Sequence, residues 1–144
     1  MTARQHFPQM LTAARKAAAA GKHAEVTRLL APITDTFPTA AAHPRARTPE
    51  LPQALELVAD LQFRAYPAAA AGSYEKAIAM WTLMALDLEA AGRMDNARAV
   101  RARIDHLSTK RVAAYRTGAR NQAHLDRLIS QDKRGPGLGS IGHA

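Results

Sequence analysis

The chain has 144 residues, a net charge of +8 and no cysteine. That length suits one domain with a sizeable core, and the missing thiols exclude disulfides, thiolate metal sites and cysteine nucleophiles. Hydrophobic residues reach 47% but aromatics only 5%. Much of the apolar content is alanine, which with Leu and Arg and without β-branched runs predicts an all-α fold.

The opening MTARQHFPQML has no apolar signal core, and the alanine run at 17–20 is too short for one, so a cytoplasmic location is expected. No apolar run approaches the roughly 20 residues that span a bilayer, so no membrane is expected among the partners. A first helix is expected from about Phe7, with Pro8 in its first turn, to Ala20, where Gly21 ends it. Phe7, Met10, Leu11, Ala14 and Ala18 form its inward side. A second helix over 22–31, with Val26, Leu29 and Leu30 apolar, is limited by Pro32 and completes a tight hairpin. Residues 32–48 hold three prolines and no periodicity, which reads as a long loop pinned by Ile33 and Phe37. Thr48 as N-cap and Pro49 at the first position open the next helix, with Leu51, Leu55, Val58, Leu61 and Ala65 as its stripe. Pro67 either ends this helix near Tyr66 or kinks it.

The stretch 72–92, GSYEKAIAMWTLMALDLEAAG, carries the most apolar helix. Gly72 closes the preceding element and Ser73 caps a helix over about 73–91, with Tyr74, Ala77, Ile78, Trp81, Met84, Ala85 and Leu88 on one face. Met80, Leu83 and Leu86 widen that face, so antiparallel hairpins are expected to pack around this central helix, five or six helices in all. From Met94 the pattern resumes through Ala97, Val100, Ile104, Leu107, Ala114, Tyr115, Leu125, Leu128 and Ile129. Unbroken, that helix would measure roughly 57 Å, so a break or bend is expected at Ser108-Thr109 or Thr117-Gly118. Its apolar length also makes a homodimer through this helix an expected state. The domain is expected to occupy 1–131 and a flexible glycine-rich tail 132–144.

Three segments echo one another: AAAAGKHAEV (17–26), AAAAGSYEKA (68–77) and EAAGRMDNA (89–97). Each reads as an alanine-rich helix end, a glycine corner and the start of an antiparallel helix. In the middle one, Gly72, Tyr74, Ala77, Ile78 and Trp81 resemble the turn and second helix of a tetratricopeptide repeat. The resemblance covers about 20 residues. Leu61, Arg64 and Ala65 depart from the family's preceding Trp-x-x-Leu-Gly pattern, and the glycine spacing departs from its 34-residue period. It implies a degenerate repeat-like hairpin that displays a concave peptide-binding surface beside Tyr74 and Trp81.

Chemistry has little to stand on. His6, His23, His43, His106, His124 and His143 form no paired ligand spacing, so neither a metal nor another cofactor is expected. Asp87 and Glu89 point to different faces, and there is no nucleophile elbow and no phosphate loop after a strand. No catalytic residue is expected. The charge is concentrated instead: between 98 and 134 lie 10 basic and 3 acidic residues, net +7. Arg98, Arg101, Arg103, Lys110, Arg111, Arg116, Arg120, Arg127, Lys133 and Arg134 form a candidate interaction surface, or alternatively a solvated face. The reading is a non-enzymatic interaction or adaptor module whose protein partner presents an acidic surface. The alternative is an accessory protein that contacts nucleic-acid phosphates through 98–134. A contiguous apolar groove beside Tyr74 and Trp81 favours the first, and a continuous basic stripe favours the second.

Overall fold

Two glycines make the sharp corners of this chain. Gly21 and Gly92 sit at φ 75° and 77°, the left-handed region that a Cβ disfavours. At each, the following amide reaches back to close the helix end: Lys22 N–H to the Ala17 carbonyl and Arg93 N–H to the Leu88 carbonyl, both at 2.9 Å. The computed structural model in which these corners appear describes residues 3–134. Among them a short 3-10 turn leads into α1 (Phe7–Ala19), α2 (His23–Thr34), a six-residue α3 (Phe37–Ala42) and a second 3-10 turn (Pro44–Ala46). Then follow α4 (Glu50–Gln62), α5 (Pro67–Ala90) and α6 (Met94–Arg134), and no strand is formed among the described residues. The fold is all-α, as expected.

Helix α1 runs where its periodicity places it, but α2 runs past Pro32 to Thr34. The proline removes one donor only in the last turn, and Ile33 beyond it is fully buried. The segment expected as a loop at 32–48 is largely helical. Its remaining prolines stand at element starts, where a missing N–H costs nothing: Pro38 in the first turn of α3 and Pro44 opening the 3-10 turn. Arg47 fastens the segment. Its Nε and Nη2 donate to the carbonyls of Ala40 and Ala41, and its Nη1 lies 3.0 Å from Asp87 on α5. Thr48 does not cap α4; its buried hydroxyl has no hydrogen-bond partner among the described residues.

Gly72 is not a corner. The turn lies at 63–66, Pro67 starts α5, and the helix passes through Gly72 without interruption. Pro67, Ala70, Ala71, Tyr74, Ala77, Met80, Trp81 and Ala85 are all buried, so the packed stripe continues across the glycine and outweighs its poor helix propensity. Helix α6 is likewise unbroken. The Ser108 hydroxyl returns to the Ile104 carbonyl at 2.9 Å within the helix, and Gly118 presses its Cα face against Ala68. Of the flexible tail expected at 132–144, residues 132–134 continue α6 and the rest falls outside the described residues.

Helix pairing follows from the contacts. Glu89 meets Arg101, Glu75 meets Tyr115 and Ala68 meets Gly118, so α6 runs antiparallel along the whole of α5. Trp81 meets Glu56 and Tyr74 meets Asp60, so α4 is antiparallel to α5 and parallel to α6. The α1/α2 hairpin covers the remaining side of α4 and completes the core with Phe7, Leu11, Val26, Leu30 and Ile33.

A Cβ at Gly72 would meet nothing within 4 Å, and its backbone is helical. Gly72→Ala should therefore stabilise the protein by about 0.5–1 kcal/mol in urea unfolding. Destabilisation would mean that the chain does turn at this position.

Candidate functional site: the α6 basic helix and its seam

The basic residues of α6 divide by heptad position. On the side facing α5 and α4, two aromatics seven residues apart on α5 meet two carboxylates one turn apart on α4 and two cations seven apart on α6. Trp81 Nε1 donates to Glu56 at 2.7 Å, and Arg103 donates to the other Glu56 oxygen. The Tyr74 hydroxyl donates to Asp60, which also accepts from Lys110 Nζ at 3.1 Å while that ammonium sits 5.9 Å over the Tyr74 ring. Glu56 is 5% exposed, so its charge needs both donors. Burial, then the bond to Asp60, pushes the Tyr74 phenol well above its ordinary range, and the bond to Glu56 raises the Arg103 guanidinium.

Nearer the α5–α6 corner, Arg101 forks onto both oxygens of Glu89 at 2.8 and 2.9 Å and holds that carboxyl below its usual range. Arg98 pairs with Asp95 one turn earlier on the exposed face. Arg111 is half-buried, and its Nε has no hydrogen-bond partner among the described residues. The candidate surface therefore separates. Arg101, Arg103 and Lys110 tie helices together, while Arg116, Arg120 and Arg127 are exposed and form no ion pair among the described residues. The side chains of Lys133 and Arg134 lie outside the described part.

The aromatic pair singled out in the sequence is core. Tyr74 is 2% exposed and Trp81 9%. Beside Trp81 a groove of about 410 Å³ opens, lined by Arg15, Gln53, Glu56, Val100 and Arg103. Two guanidinium groups therefore border it, and Tyr74 takes no part. The seam carboxylates Glu56 and Asp60 had no sequence signal of their own. Their spacing becomes informative only when set against Tyr74/Trp81 and Arg103/Lys110.

The last part of α6 lies at the surface. Every residue from 119 to 132 is exposed, and Leu125, Leu128 and Ile129 keep 49%, 48% and 45% of their surface in water. Helix α5 begins at Pro67, opposite Gly118, so α6 projects past that end of it by roughly 24 Å.

His6, His23, His43, His106 and His124 are exposed and scattered, and His143 lies outside the described residues. Among the described residues no three His, Asp or Glu side chains gather as metal ligands, and no helix is long and apolar enough to cross a membrane. Set against known proteins, the chain matches no family model, no curated protein and no solved structure.

Two measurements check the seam. Trp81→Ala should lose roughly 3–5 kcal/mol, and Trp81→Phe, which keeps the packing but strips a donor from Glu56, about 1–3 kcal/mol. A Trp81→Phe protein as stable as wild type would show that Glu56 does not depend on the indole. For Tyr74, folding favours the protonated phenol above its ordinary pKa of 10.0. That contribution is complete below about pH 10 and is lost as pH rises through the folded-state value. Wild type should therefore lose stability above about pH 10 more steeply than Tyr74→Phe. Tyr66 and Tyr115 are common to both, so parallel curves would refute the assignment.

Proposed function

We propose that this chain is a non-enzymatic, cytosolic interaction module that meets a protein partner through the projecting part of α6. The observation that supports the reading most is the projection itself. A helix face with three large apolar side chains half in water, beyond the start of the helix it packs against, suits a contact with another molecule. Arg116, Arg120 and Arg127 recur along one side of the same helix, which suits an acidic rim on the partner. The α1/α2 and α4/α5 pairs act as a hairpin scaffold in the manner that the tetratricopeptide resemblance implies.

A second reading rests on those same arginines. With Arg101, Arg103 and Lys110 committed to the fold, a short cationic strip remains that could track a few phosphates.

Affinity purification of the tagged chain from nuclease-treated cells separates the two. Wild type should retain a protein, an untagged copy of itself included, and the Leu125→Asp/Leu128→Asp variant should lose it at unchanged helicity. Retention of nucleic acid without nuclease, weakened alike on all sequences by Arg116→Gln/Arg120→Gln/Arg127→Gln with a salt slope lower by about 2–3, would establish the second reading instead.

A further inference from the structure

We propose that the occupant of the projecting α6 face is a second copy of this chain, paired antiparallel over residues 119–134; the inference rests on the reading of that face as the contact element. The argument begins with the heptad register of α6. Ala97, Val100, Ile104, Leu107, Arg111, Ala114 and Gly118 follow at alternating steps of three and four, and all are at least half-buried on the side that faces α5. The same register continues without a slip through Asn121, Leu125, Leu128 and Asp132, where α5 has ended. The stripe is built for a helix that lies where α5 would lie if it were longer.

A twofold axis between Leu125 and Leu128 supplies such a helix. It brings Leu125 of each copy opposite Leu128 of the other, making two apolar layers at the centre. Asn121 then falls opposite Asp132, so an amide donor meets a carboxylate and the pairing is held against a slip. The flanking positions are His124 and Gln131 on one side and Gln122 and Ile129 on the other, with no formal charge among them. Arg120, Asp126 and Arg127 occupy the positions turned away from the contact. The like charges of the two copies are therefore kept out of the interface, and the arginine strip is left displayed on each.

The length also closes. With the axis between 126 and 127, the end of the partner's helix near 134 falls beside Gly118, where α5 begins. There Tyr66, 69% exposed, lines a groove of about 410 Å³ together with Pro67, Ala69, Asn121 and Leu125. The carbonyl end of the incoming helix meets the free amide end of α5, opposite dipole ends in approach. Because α5 and the second copy's helix both run antiparallel to α6, they follow one another along a single stripe. The overlap is short, below the roughly 1,200 Å² of a standard interface, so dissociation on the order of 10 µM is expected.

Sedimentation equilibrium of the full chain from about 1 to 500 µM should show monomer passing to dimer, and Leu125→Asp/Leu128→Asp should weaken association about tenfold or more. These side chains are half in water, so the variant should keep its helicity. Replacing the polar layer, Asn121→Leu/Asp132→Leu, should tighten the dimer. The chain has no cysteine, so a single introduced one carries a spin label cleanly. Labels at Arg127, level with the axis, should lie much nearer one another than labels at Thr109, which should be roughly 50 Å apart. Short distances at both positions, or a dimer indifferent to the Leu125/Leu128 change, would overturn the inference. A chain monomeric throughout, whose capture of another protein still requires Leu125 and Leu128, would overturn it while leaving the interaction reading in place. Loss of both would remove the two together.

Discussion

Glu56 is a carboxylate sealed among three helices, and the arrangement of α4, α5 and α6 follows from how its charge is met. Removing a carboxylate from water is costly unless donors replace the hydration it loses. Here the replacements come from two other helices at once, the indole of Trp81 and the guanidinium of Arg103. One turn along α4, Asp60 repeats the device at the margin of the core with Tyr74 and Lys110. The Glu56 junction closes only when all three helices are in register, since a shift of one residue on any helix would strand its buried charge.

That constraint matters because the packing surfaces themselves are smooth. Ala70, Ala71, Ala77 and Ala85 on α5 and Ala97 and Ala114 on α6 are buried at or near zero exposure. Small side chains let helices approach closely but interlock weakly, so one alanine layer resembles the next. Burial gives the cohesion, and the polar junctions select the register. The same economy explains the fate of the charge excess. Arg101, Arg103 and Lys110 are drawn from a basic run yet serve acids on neighbouring helices, whereas Arg116, Arg120 and Arg127 farther along form no ion pair among the described residues.

Periodicity carried the class of fold, the α1 boundaries, the Gly21 and Gly92 corners and the burial of Tyr74 and Trp81. It misplaced the corner at Gly72 because the local signal there, alanines followed by glycine and serine, is the same as at Gly21. What differs is the stripe: at Gly21 it ends, and at Gly72 it runs through from Ala70 to Tyr74. The prolines at 32–48 misled for a related reason, since a proline opening a helix and a proline breaking one look alike in sequence. Glu56 and Asp60 were illegible because their meaning lies in partners on other helices. Arg111 shows the converse: a charge counted as surface in sequence turns half inward, because its heptad position belongs to the buried stripe.

The projecting part of α6 is helical although every side chain from 119 to 132 is exposed. Helix formation is limited by nucleation, and an extension adds one hydrogen bond for each residue it fixes. The first half of α6 is nucleated and clamped by α5, so residues beyond Gly118 need only propagate. Ala119, Arg120, Gln122, Ala123, Leu125, Arg127, Leu128 and Gln131 are good formers, and a cationic end with Lys133 and Arg134 suits the negative end of the helix dipole. A rod of this kind is already ordered before any partner arrives. Binding to it therefore loses little backbone entropy, and a short apolar stripe can suffice where a disordered segment of the same composition would need a much larger contact. The long helix is thus both the outer wall of the core and, past the end of α5, a preformed arm.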